Sequence, residues 1–91
     1  MPYLIVEYEY DPPLTDERLN DASRALGPCL EVRGITRLRT WLSNDRRRGM
    51  CEYRAADAES VREAYRTAAV GYTRIWSGTL FEPGQFPDDG E

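Results

Sequence analysis

The chain has 91 residues, 41% of them hydrophobic and 31% charged, with a formal net charge of −4. That length makes one domain, and the acidic balance argues against a nucleic-acid partner, which needs basic surface against phosphates. No apolar run is long enough to cross a bilayer, and the opening MPYLIVEYEY lacks the basic flank and cleavage site of a signal peptide, so a cytoplasmic location without a membrane partner is expected.

Histidine is absent. Histidine therefore cannot be the general base, the nucleophile activator or a metal ligand. The two cysteines, Cys29 and Cys51, form no C-x-x-C motif and read as free thiols in a reducing compartment. A chain this short buries a modest core, so pairing with a second copy would help to stabilise it.

In chain order, Tyr3 to Tyr10 alternates as a strand, with Leu4, Val6 and Tyr8 on one side and Tyr3, Ile5, Glu7 and Glu9 on the other. Asp11-Pro12-Pro13 stops it. Thr15 is an N-cap, with Asp16 and Glu17 in the first turn, where the helix dipole favours anions. Leu19, Ala22, Leu26 and Leu30 then recur at helical spacing. Gly27-Pro28 interrupts the run. Either one helix kinks at Pro28, or one ends near Leu26 and a second begins at Pro28; the apolar phase favours a bent or broken element reaching about Arg33 and ended by Gly34.

Ile35 to Leu42 reads as the second strand, with Leu38, Thr40 and Leu42 facing one way and Arg37, Arg39 and Trp41 the other. Ser43 to Arg48 is a polar loop, and Gly49 to Arg54 returns as the third strand, with Cys51 and Tyr53 opposite to Met50, Glu52 and Arg54. Asp57 caps a helix with the stripe Val61, Ala64, Tyr65 and Ala68, closed by Val70-Gly71. Tyr72 to Phe81 is the last strand. The domain spans 1–82, and 83–91 is an acidic Pro/Gly-rich tail in which Phe86 could anchor on a partner.

The order β-α-β-β-α-β is the split pattern of an α+β, ferredoxin-like fold: a four-stranded antiparallel sheet with two helices on one face. The helix-free face must meet solvent or a partner. Ile5, Glu7, Arg39, Trp41, Met50 and Glu52 fall on it, a mixture of paired charges and apolar surface that suits a homodimer interface of the dimeric α+β barrel type.

Three other constellations bear on chemistry. Tyr8, Tyr53, Tyr65 and Trp76 could wall a helix–sheet pocket for a flat aromatic ligand, or simply fill the core. Arg46-Arg47-Arg48 could grip a phosphate, although a solvated hairpin loop is the plainer reading. Two scattered cysteines are too few for a closed metal site, and Asp88, Asp89 and Glu91 read as a solubilising tail rather than a hard-metal site. No cofactor, no metal ligand and no catalytic residue is assigned. A binding protein for a small organic ligand is the first reading. A histidine-free cyclase, isomerase or oxygenase, in which Tyr, Trp and Arg polarise the substrate, is a second, and a metal-binding protein a third.

The elements WLSND, CEYRAADAESVREAYRTA and TRIW resemble a family of small uncharacterised bacterial domains. The family pattern runs hydrophobic strand, Ser/Asp turn, Cys-x-Tyr strand and Ala-x-Asp-x-x-x-Val-Arg-Glu helix. The resemblance implies a ferredoxin-like fold and a homodimer, with nickel binding in an actinobacterial branch. Ser43 and Asp45 carry over as turn residues, Cys51 and Tyr53 as strand residues and Asp57 as a cap. Where histidine would be expected, this helix reads Ala64-Tyr65, so no metal residue carries over.

Overall fold

The computed structural model describes residues 3–87. Its elements are β1 (Tyr3–Glu9), α1 (Asp16–Glu31), β2 (Thr36–Leu42), β3 (Arg48–Arg54), α2 (Ala58–Ala68) and β4 (Arg74–Gly78). The strands form one antiparallel sheet in the order β2-β3-β1-β4, the ferredoxin-like arrangement. Asp88, Asp89 and Glu91 of the expected tail lie outside the described residues.

The core follows from strand alternation. Leu4, Val6 and Tyr8 of β1 and Cys51 and Tyr53 of β3 are buried with Leu26 and Leu30 of α1 and Val61, Ala64 and Tyr65 of α2. Alanine at position 64 lets α2 approach the sheet closely. Thr15 caps α1 by accepting from the Arg18 N–H at 3.2 Å, and Asp57 caps α2 by accepting from the Ser60 N–H at 2.8 Å. That bond and a second from Ser60 Oγ, also at 2.8 Å, hold the Asp57 carboxyl below the usual range.

Pro28 lies inside α1, which is a single helix from Asp16 to Glu31. The turn beyond the proline is closed by the Val32 N–H bonding the Pro28 carbonyl at 3.1 Å, and the Ile35 N–H bonds the Leu30 carbonyl at 3.0 Å. Gly34 then turns the chain with φ +66°. At the end of α2 the left-handed residue is Ala69, with φ 57°, so the helix closes two positions before the expected Gly71.

One face assignment changes. Along β2, Arg37 pairs with Tyr53 and Arg39 with Glu52, so Leu38 is an extra residue, a β-bulge. The bulge shifts the alternation by one place. Arg37, expected on the helix-free face, therefore points to the helix side. Its guanidinium lies 5.9 Å from the Tyr53 ring centroid, and Nη1 donates to Ser23 Oγ of α1 at 3.4 Å. β4 is also shorter than Tyr72–Phe81, because the Thr73 N–H bonds the Glu7 carbonyl just before the strand and the pairing with β1 ends at Gly78.

Candidate functional site

The helix side of the sheet carries a chain of hydroxyls. The Tyr8 hydroxyl donates to Cys51 Sγ at 3.6 Å. Tyr8 and Tyr65 share a short hydroxyl–hydroxyl bond, and Tyr65 and Tyr53 meet at 2.6 Å. Each phenol has one proton to give. The three phenols and the thiol form one linked chain, Tyr53, Tyr65, Tyr8 and Cys51, which ends where Thr40 Oγ1 lies 3.2 Å from Sγ.

Burial pushes the Tyr8, Tyr65 and Tyr53 phenols up, and each is pushed further by ionisable neighbours in the cluster. All three are protonated at neutral pH. They act as a polar seam within the core, and none supplies a phenolate base.

Beside this seam, a cavity of about 300 Å³ opens between α1 and the β2–β3 half of the sheet. It exists because β2 is an edge strand, and Thr36, Arg37 and Thr40 stay exposed beyond the cover of α1. Tyr8 and Tyr10, stacked with centroids 5.8 Å apart, form one wall. Leu19, Ala22 and Leu26 of α1 form the roof, Thr40 and Cys51 the floor, and Arg37 and Ser23 add polar groups.

The four aromatics expected to wall a pocket separate. Tyr53 and Tyr65 are fully buried and meet at their hydroxyls, so no space lies between them. Tyr8 reaches the cavity. Trp76 does not join them: it pairs with Ile5 across to β1 and so lies on the helix-free face, where Nε1 donates to Glu7 Oε2 at 2.6 Å. Sequence reading missed Arg37, Thr40 and Tyr10. The first was hidden by the bulge, and the last lay at a strand end without a pattern.

The six residues expected at an interface, Ile5, Glu7, Arg39, Trp41, Met50 and Glu52, share the helix-free face by register. Trp41 Nε1 donates to Glu52 Oε2 at 2.8 Å, and Arg39 Nε lies 3.2 Å from the same oxygen. The trough on this face, about 800 Å³, runs between Trp41, Met50, Glu7, Glu9, Arg48 and Arg74.

The arginine run has a structural use. Arg46, in the left-handed region at φ 62°, places Nη1 at 2.7 Å from Asp16 Oδ1, and Arg47 Nη1 lies 3.5 Å from Asp11 Oδ1. The Tyr10 and Leu14 N–H groups bond the carbonyls of Arg47 and Arg46 at 2.7 and 2.9 Å. The β2–β3 hairpin thus clasps the β1–α1 connection. Within the hairpin, Asp45 accepts from Ser43 Oγ and the Arg47 N–H, which holds its carboxyl low.

Fold and site together define a small ferredoxin-like domain with a cleft at its β2 edge and an open sheet face. The chain belongs to the nickel responsive protein SCO4226-like family, whose profile matches residues 3–77. The crystal structure of SCO4226 from Streptomyces coelicolor A3(2) is similar, with a TM-score of 0.76 at 15% identity over 88% of this chain and 99% of that one. At that identity the likeness is one of fold. No curated protein matches the sequence.

A nickel site within one chain does not fit the described residues. Histidine is absent from the sequence. Among the described residues no three Cys, Asp or Glu side chains gather closely enough to hold an ion. No helix among them is long and apolar enough to cross a membrane.

Proposed function

We propose that this protein binds a small, flat organic anion, an aromatic carboxylate, in the cleft between α1 and the β2–β3 edge, and that it works as a homodimer. The observation that carries the reading is Arg37. The β-bulge turns its guanidinium to the helix side, beside a cavity walled by the stacked Tyr8 and Tyr10 rings. An aromatic wall, an apolar roof and one fixed cation suit a ligand with a ring and a carboxylate. The cavity is at the small end for ligand sites, which suits one or two fused rings.

Calorimetric titration with 1-naphthoate tests the cleft. Saturable binding is expected, weakened about tenfold or more by Arg37→Gln, which removes a charge-assisted contact, and abolished by Ala22→Trp, which fills the roof. The uncharged analogue 1-naphthalenemethanol should bind more weakly to the wild-type protein. Absence of saturable heat, or full affinity in Arg37→Gln, overturns the assignment.

The dimer is supported by the helix-free face, which leaves Trp41 and Trp76 exposed around the buried Ile5. A single species of monomer mass in sedimentation at high concentration would overturn it.

A further inference from the structure

α1 is supported at two places. Its first residue, Asp16, is held by Arg46 of the β2–β3 hairpin at 2.7 Å, and the Leu14 N–H just before it bonds the Arg46 carbonyl at 2.9 Å. Its second half is held by Leu26 and Leu30, the two buried residues of the helix. Between these supports α1 carries Leu19, which stays 36% exposed, and the small Ala22 and Ala25, so its middle spans a gap that its own side chains do not fill. The cleft at the β2 edge is one mouth of that gap. A second cleft, of about 590 Å³, lies on the other flank of α1, against the turn from α2 into β4. Tyr8, Tyr10, Leu14, Leu19, Ala22 and Val70 line both.

We infer that the two clefts are one channel beneath α1, and that its ligand is an aryl carboxylic acid with a linear hydrocarbon tail. The acid and its ring occupy the β2-edge mouth, and the tail runs under the helix into the second cleft. The inference rests on the aromatic-carboxylate reading above and extends it to the rest of the molecule bound. Charge sets the direction. Arg37 is the one charged side chain among the described residues that line the first cleft. In the second, Arg18 is matched by Glu9, and Asp21 is bound to Arg24, so that mouth has no surplus positive charge for a carboxylate. Shape sets the form of the tail. The waist runs between Leu19 and Ala22 on one side and the stacked Tyr8 and Tyr10 rings on the other, which suits an unbranched chain. Past the waist, Ala25, Ala68 and Val70 give the tail an apolar surface to cover.

Calorimetric titration with a series of 4-alkylbenzoates, from ethyl to hexyl, tests the channel beside 1-naphthoate, which tests the first cleft alone. Affinity should rise about threefold with each methylene added. Arg37→Gln should weaken every member by the same factor, because the head group does not move as the tail grows. Ala25 is exposed and lines the second cleft but not the first. Ala25→Trp should therefore cancel the gain from longer tails, and Ala68→Trp should do the same from the α2 side. Binding of 1-naphthoate by each tryptophan variant reports that it is folded. Affinity that stays level along the series while 1-naphthoate binds overturns the channel and leaves the cleft. A gain that survives in Ala25→Trp and Ala68→Trp places the tail outside the second cleft and also overturns it. If neither 1-naphthoate nor any alkylbenzoate binds the wild-type protein, the cleft assignment falls and the channel with it.

Discussion

The Tyr65 hydroxyl is where both inner strands meet α2, since it hydrogen-bonds both Tyr53 and Tyr8. Tyr65→Phe leaves the other two phenols short of a partner in the core. The expected cost at neutral pH is about 1–3 kcal/mol, read as a lower urea midpoint with unchanged slope. The same cluster sets an alkaline limit. Each phenol is pushed above its ordinary value by burial, so the folded form holds protons that the unfolded chain releases. Stability is therefore full below the unfolded pKa of about 10 and falls as pH rises beyond it, by up to about 1.4 kcal/mol per pH unit for each phenol. Tyr65→Phe removes one titrating group and should make that decline shallower. A wild-type urea midpoint that stays level from neutral pH to well above the ordinary phenol pKa contradicts the buried, protonated seam.

Helix ends show how local chemistry and tertiary structure divide the work between elements. Thr15 and Asp57 were legible as caps because a side-chain oxygen before an acidic first turn has a definite use. The end of α2 was not, because the sequence offers Gly71 while the chain turns at Ala69, where Val70 N–H closes on the Tyr65 carbonyl at 3.1 Å. A left-handed alanine is strained by its Cβ. Ala69→Gly should then stabilise the protein by about 1 kcal/mol, and Gly34→Ala, at φ +66°, should destabilise it by about the same. An added Cβ at Gly34 meets nothing within 4 Å, so that cost is backbone strain alone. Thermal melts of the two variants moving in the same direction would contradict this account. The bulge in β2 was equally illegible: strict alternation is the only guide a sequence offers for a strand, and one extra residue carries Arg37 to the other side.

At the scale of the molecule, element order and strand pairing were open to reading because apolar alternation and two helical stripes leave few ways to bury both. The cleft was less so, since its walls depend on where α1 stops covering an edge strand. The core cluster ends at Ile75, and pairing ends at Gly78, whose missing Cβ leaves room for the Trp76 ring; a Cβ there would sit 3.0 Å from it. Beyond it, Phe81 and Phe86 stack on one another with centroids 5.9 Å apart around a turn at Gly84, and both are about half exposed. Such a pair is a satellite of the domain rather than part of its core. A chain shortened to end at Gly78 should keep its urea midpoint to within about 0.5 kcal/mol, the usual scale for changes outside a packed core. If the shortened chain instead loses more than about 1 kcal/mol while sedimenting as wild type does, the aromatic pair belongs to the fold. If it keeps its stability at low concentration but dimerises more weakly, the Phe81–Phe86 turn extends the contact between copies beyond the sheet.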